Sequence, residues 1–98
     1  MERRYYLVCY DIADDRRLAR VHRRTKDFGT RLQFSVYGCE MSEVDLARLR
    51  ESLWDIINHA EDSVLFIDLG VARHGTLPKC VDAIGVGPRT PDHKRMIL

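Results

Sequence analysis

Tyr5-Tyr6-Leu7-Val8-Cys9-Tyr10-Asp11 constrains this chain more than any other stretch. Side chains of a β-strand alternate between two faces, so Tyr5, Leu7, Cys9 and Asp11 share one face while Tyr6, Val8 and Tyr10 share the other. Apart from the final acid both faces are apolar, the pattern of a central strand covered on two sides. Asp11 closes the run where a sheet meets solvent and loops gather. Arg16, Arg17, Arg20, Arg23, Arg24 and Lys26 follow at once. A carboxylate able to hold a divalent cation, next to a stripe of arginines, points to phosphodiester chemistry or phosphate binding. Its type and place also allow a plainer role, because Asp commonly opens a turn.

With 98 residues the chain is expected to form one domain, spanning 1–87, with 88–98 as a polar, Pro-containing mobile tail. The formal net charge of +1 says little, yet clustered arginines can build a phosphate-attracting face on a protein that is neutral as a whole. Three cysteines, an odd number without metal-ligand spacing, fit a reducing cytoplasm better than a disulfide scaffold. The apolar run after Arg3-Arg4 is broken by Asp11, unlike a signal peptide, and no segment is long enough to span a membrane.

In chain order, strand one covers Arg4 to Asp11, and Asp14 or Asp15 caps a helix running to about Phe28. Leu18, Val21, Thr25 and Phe28 give that helix a narrow apolar face, and Gly29 suits the position that ends it. Arg31–Phe34 and Val36–Glu40 read as two strands. Ser42-Glu43-Val44-Asp45 resembles a capping box, opening a second helix that runs to about His59. Leu46, Leu49, Leu53, Ile56 and Ile57 form its buried stripe, with Trp54 flanking it and assigned to the core. Ser63–Gly70 is a further strand, apolar on both faces except at Asp68. Val81, Ala83, Ile84 and Val86 suggest a short extra strand within 80–87.

The order βαββαβ defines an α+β, ferredoxin-like sandwich: a four-stranded antiparallel sheet with two helices on one face. Two helices cover only one side of this sheet, whereas the first and last main strands are apolar on both. The second face therefore calls for another copy of the chain, a homodimer packed sheet to sheet, with the segment near 80–87 reaching the partner's sheet edge.

Several stretches together carry a resemblance to a known family. They are Tyr10-Asp11-Ile12, Asp14-Asp15-Arg16-Arg17, Arg20-Val21, Phe28 through Glu40, Glu61-Asp62-Ser63-Val64 and Val81-Asp82-Ala83-Ile84-Gly85. In that combination and order the chain resembles the small CRISPR-associated endoribonuclease family, the ferredoxin-like subunit of the spacer-acquisition complex. The resemblance implies a homodimer in which Asp11 of each protomer faces the other and the pair holds Mg²⁺ or Mn²⁺. It implies metal-dependent cleavage of RNA or DNA in CRISPR adaptation, with a larger integrase subunit as partner. The family is also associated with a non-catalytic role, bridging integrase dimers and binding spacer DNA. Arg17, Arg20 and Arg31 fit its basic positions, and Tyr37 stands where it often has Phe.

Asp11 is thus the candidate catalytic and metal-binding residue, and Arg16, Arg17, Arg20, Arg23, Arg24 and Arg31 are candidates for nucleic-acid contact. Few acids lie one helical turn from these arginines, which weakens a reading of them as a merely solvated face. Without a platform of exposed aromatics, the expected recognition is of the phosphate backbone rather than of bases. Tyr10, Ser35 and Tyr37 adjoin the site as possible positioning groups. His22, His59, His74 and His93 are scattered and receive no role. A non-catalytic adaptor and a ferredoxin-like ribonuclease toxin of a toxin–antitoxin pair are the competing readings. A small-molecule regulatory domain is disfavoured by the arginine helix and by the lack of a Gly-rich ligand loop.

Overall fold

The computed structural model describes residues 2–72 and 81–87. Its elements run β1 (Arg4–Asp11), α1 (Asp15–Thr25), β2 (Thr30–Gln33), β3 (Val36–Met41), α2 (Glu43–Ile56) and β4 (Ser63–Val71). The sheet order is β2-β3-β1-β4 with every neighbouring pair antiparallel, so the hydrophobic β1 lies inside, as its two apolar faces require. This is the ferredoxin-like α+β plan.

Alternation along β1 sorts its side chains as the strand period dictates. Tyr6, Val8 and Tyr10 are buried beneath the helices with Val21, Tyr37, Cys39, Met41, Leu49 and Leu53. Tyr5, Leu7 and Cys9 are only half-buried on the opposite face. There the register sets Leu7 opposite Ile67 and Cys9 opposite Leu65. Leu65 and Ile67 are 58% and 42% exposed, so an apolar block stands on the uncovered face.

Local chemistry explains the helix limits. Asp14, in extended backbone, accepts a hydrogen bond from the Arg17 amide at 3.0 Å and so caps α1. Ser42 and Asp45 form both halves of the capping box at α2. Buried Thr25 is satisfied within its own helix, its hydroxyl donating to the Val21 carbonyl at 2.7 Å. The sequence extends α1 to Phe28, but it stops at Thr25. The amides of Asp27 and Phe28 turn back onto the carbonyls of Arg24 and Thr25, tightening the last turn. Gly29 does not serve a left-handed backbone, since Gly70 and Gly85 alone among the described glycines have positive φ. It is needed for close approach: a Cβ there would lie 2.3 Å from the Gly38 carbonyl oxygen.

Two further expectations change. Helix α2 ends at Ile56 rather than near His59, because Ile57 is already extended. Trp54 is 67% exposed and not a core residue, since Leu49 and Leu53 already fill the buried face of α2. Val81–Gly87 forms no strand within the chain. It passes over Leu7, Leu32 and Val36 and leaves Ile84 and Val86 exposed. The tail 88–98 lies outside the described residues.

Candidate active site

Asp11 is the last residue of β1 and is exposed, on the same sheet face as Leu7 and Cys9. Its register partner is Ser63, the first residue of β4. Among the described residues its carboxylate takes part in no ion pair or side-chain hydrogen bond. Two neighbouring links hold the backbone around it. The Tyr10 amide donates to the Ser35 carbonyl at 3.0 Å, and the Ala13 amide donates to Asp62 Oδ1 at 2.8 Å.

Asp62 is the hub of this end of the sheet. Its side chain is fully buried, and both oxygens are saturated. Oδ1 accepts from the Ala13 amide and from Arg17 Nη2, while Oδ2 accepts from Arg17 Nε at 2.8 Å and the Asn58 amide at 2.8 Å. The Arg17 hydrogen bonds, with those from the Ala13 and Asn58 amides, hold its carboxyl well below the usual carboxylate range. A charge buried in this way is tolerable because every acceptor position finds a donor. The sequence alone marks Asp62 only within Glu61-Asp62-Ser63-Val64, a stretch that carries the family resemblance with no role attached to the acid. What signal there is lies in an acid standing directly before Ser63, at the mouth of a strand that must pair with β1.

The candidate arginines divide into groups. Arg17, expected to contact nucleic acid, is spanned across Asp62 and reaches Glu61 at 3.2 Å. Its partners lie far along the chain, so helix-spacing arguments could not find them. Arg24 donates to Ser52 Oγ at 2.9 Å and pairs with Asp27, tying α1 to α2. Arg16, Arg20 and Arg23 remain exposed. At 100° per residue they fall within about 60° of arc, opposite buried Val21 and Thr25, and span about 10 Å of helix. They make a row of cations along the solvent side of α1, with Lys26 exposed one turn beyond.

Arg31 points to the helix side of the sheet, its guanidinium 5.0 Å from the centre of the Phe34 ring. Its Nε is buried without a hydrogen-bond partner. Phe34 and Ser35 form the tight turn between β2 and β3. Tyr10 and Tyr37 are stacked with ring centres 6.2 Å apart, and the Tyr10 hydroxyl bonds His22 Nδ1. Burial, reinforced by Tyr37, pushes the Tyr10 hydroxyl far above its ordinary value. Burial and then the Arg31 charge lower His22 below 6.5. Tyr10 and Tyr37 therefore pack beneath the sheet, on the face opposite Asp11. Ser35 contributes its backbone carbonyl. His22, given no role from spacing, belongs to this packed cluster, consistent with its place one turn from Leu18 on the apolar side of α1.

Among the described residues this strand end offers one uncommitted hard carboxylate, Asp11. Among the described residues no cluster of three His, Cys, Asp or Glu side chains could hold a metal ion. A single Asp fits Mg²⁺ or Mn²⁺ as part of a shared site, because such ions keep water and phosphate oxygens beside one or two carboxylates.

The fold and this strand end define a class: small ferredoxin-like proteins with an exposed carboxylate closing the central strand beside an arginine-bearing helix. A family model described as CRISPR associated protein Cas2 matches residues 4–76, and the chain belongs to that family. It is 40% identical over 80 residues to the CRISPR-associated endoribonuclease Cas2 of Geobacter sulfurreducens, covering 82% of each chain. It is 38% identical over 87 residues to an endoribonuclease Cas2 of Thermodesulfovibrio yellowstonii, covering 89% of each. Among solved structures, a hypothetical protein from Thermus thermophilus superposes with a TM-score of 0.75 at 31% identity, covering 90% of this chain and 98% of that one. Streptococcus pyogenes Cas2 superposes at 0.66 with 27% identity, covering 83% and 99%.

Proposed function

We propose that this chain is a metal-dependent endonuclease that hydrolyses phosphodiester bonds as a twofold homodimer in CRISPR adaptation, partnered by the larger integrase subunit. The observation that carries this reading is the exposed Asp11 carboxylate at the end of an apolar sheet face. Pairing two copies through Cys9, Leu65 and Ile67 would remove that block from water and bring the two Asp11 ends onto one face. Val81–Gly87, with Ile84 and Val86 exposed, is a segment suited to the partner's sheet.

A divalent cation held by the two Asp11 carboxylates would neutralise charge on the phosphate and activate water. The remaining work falls to the chain itself. Arg16, Arg20 and Arg23 attract and align the phosphate backbone without reading bases. Arg17 and Asp62 hold the loop behind Asp11, and Tyr10 anchors the strand end through Ser35 and His22. Arg31 retains an unpaired donor beside the β2–β3 turn.

The test is cleavage of short RNA and duplex DNA with Mg²⁺ or Mn²⁺ by wild type and Asp11→Asn, both confirmed as dimers. The reading expects cleavage by wild type and loss of roughly 10²-fold or more in the variant. Equal cleavage by both places the chemistry elsewhere.

The arginine row also supports a second reading, a nucleic-acid-binding adaptor, because it lies on the solvent side of α1 and does not depend on Asp11. That reading expects Asp11→Ala to leave spacer acquisition intact, and acquisition abolished in a folded Asp11→Ala dimer would exclude it. Nothing in the family match favours the toxin reading.

A further inference from the structure

We infer that Asp62, gripped by Arg17, is a positioning residue for Asp11, so that one arginine of the basic helix serves as a strut rather than as a contact for nucleic acid. The inference rests on reading Asp11 as the reactive carboxylate.

The geometry exceeds what a loop cap requires. Asp62 gathers donors from three places: the Ala13 amide in the β1–α1 link, Arg17 on α1 and the Asn58 amide beyond α2. Each carboxylate oxygen takes one backbone amide and one guanidinium nitrogen. A carboxylate buried in this way cannot lose a donor cheaply, so the Ala13 amide is held in place. Asp62 also adjoins Ser63, the register partner of Asp11. The strand end carrying Asp11 is therefore fixed from the following loop and from the neighbouring strand, while its own carboxylate stays uncommitted among the described residues. A site assembled from two copies needs this stiffness, since its geometry depends on where each strand end stops.

An amide in place of the carboxylate would turn one oxygen into a donor facing donors. Whichever oxygen is replaced, Asp62→Asn should thus cost one Arg17 nitrogen and one backbone amide, that of Ala13 or Asn58, and loosen the grip without changing side-chain size. Arg17→Lys keeps the charge but loses the two-nitrogen grip, and it provides a second variant should the first fold poorly.

The experiment combines amide hydrogen exchange across residues 11–14 with cleavage kinetics of RNA in Mn²⁺, using wild type, Asp62→Asn, Arg17→Lys and Asp11→Asn dimers. The expected result is exchange at residues 11–14 faster by about tenfold or more in Asp62→Asn, with Tyr6–Tyr10 and Leu49–Leu53 unchanged. In the same variant kcat should drop by about tenfold with KM within about twofold, and Arg17→Lys should fall between it and wild type. Unchanged exchange at residues 11–14 overturns the inference, as does faster exchange with undiminished kcat. A rise in KM as the main effect also overturns it, by making Arg17 a direct contact. Full cleavage by Asp11→Asn would overturn the reading of Asp11 and with it the catalytic meaning of the strut, while the exchange data would still report whether Asp62 holds the loop.

Discussion

His22 turns its ring into the interface between α1 and the sheet, where Tyr10 bonds it and Phe34 meets it edge-on at 5.4 Å. Burial, then the charge of Arg31, lowers its pKa below 6.5. The native state therefore binds fewer protons than the unfolded chain in that region, so stability is full above 6.5 and declines as pH falls through the lowered value. The urea midpoint should drop on acidification from 6.5 through the lowered value, and His22→Gln should flatten the dependence; identical profiles would show that His22 does not titrate with folding. Asp62 behaves in the same direction at lower pH. Its contribution is present above 3.8 and is lost as pH falls below that value, since its folded pKa is the depressed one. Packing gives a second contrast at this scale. Leu53→Ala, in the core, should cost about 2–5 kcal/mol, whereas exposed Trp54→Ala should cost about 1 kcal/mol or less, measured by urea unfolding. Helical spacing places Trp54 beside the buried stripe, but on a helix with only one covered face a flanking residue looks into solvent.

At the scale of elements, the sequence marks where each helix begins better than where it ends. The starts are written locally: Asp14 caps α1, and Ser42 and Asp45 bond each other's backbone at α2. The ends are not, because Phe28 keeps the apolar spacing while the backbone tightens after Thr25, and Ile57 keeps it while already extended. The strands are legible to within a residue or two, although the tight Phe34-Ser35 turn lacks the Asn-Gly chemistry that would announce it. The arginines are legible as a cluster but not as individuals. Arg17 and Arg24 find partners in Asp62 and Ser52, contacts made only once the chain has folded. This division makes a prediction about α1. Neutralising Arg16, Arg20 or Arg23 to Gln should weaken nucleic-acid binding and lower the slope of log K against log salt by about 0.7–0.9 for each phosphate no longer neutralised. Arg24→Gln should leave that slope unchanged. A uniform effect across all four, read by fluorescence anisotropy at several salt concentrations, would contradict the division.

For the whole molecule, the sheet face away from the helices decides the matter. Apolar strands β1 and β4 announce a covering partner, and the chain by itself leaves Leu65 and Ile67 uncovered. Leu65→Glu should therefore yield a folded monomer by sedimentation, and a persisting dimer would place the interface elsewhere. Asp11 is legible as a candidate because it ends an apolar strand that lies inside the sheet, whereas its supporting hub is not, since Asp62 becomes meaningful only when three separate segments meet. The proposed site needs two Asp11 carboxylates acting together. Co-refolding wild type with increasing shares of Asp11→Asn, and measuring Mn²⁺-dependent cleavage at constant total protein, separates a shared site from two independent ones. If both carboxylates are required, activity follows the square of the wild-type fraction; activity in simple proportion to that fraction would contradict the shared site.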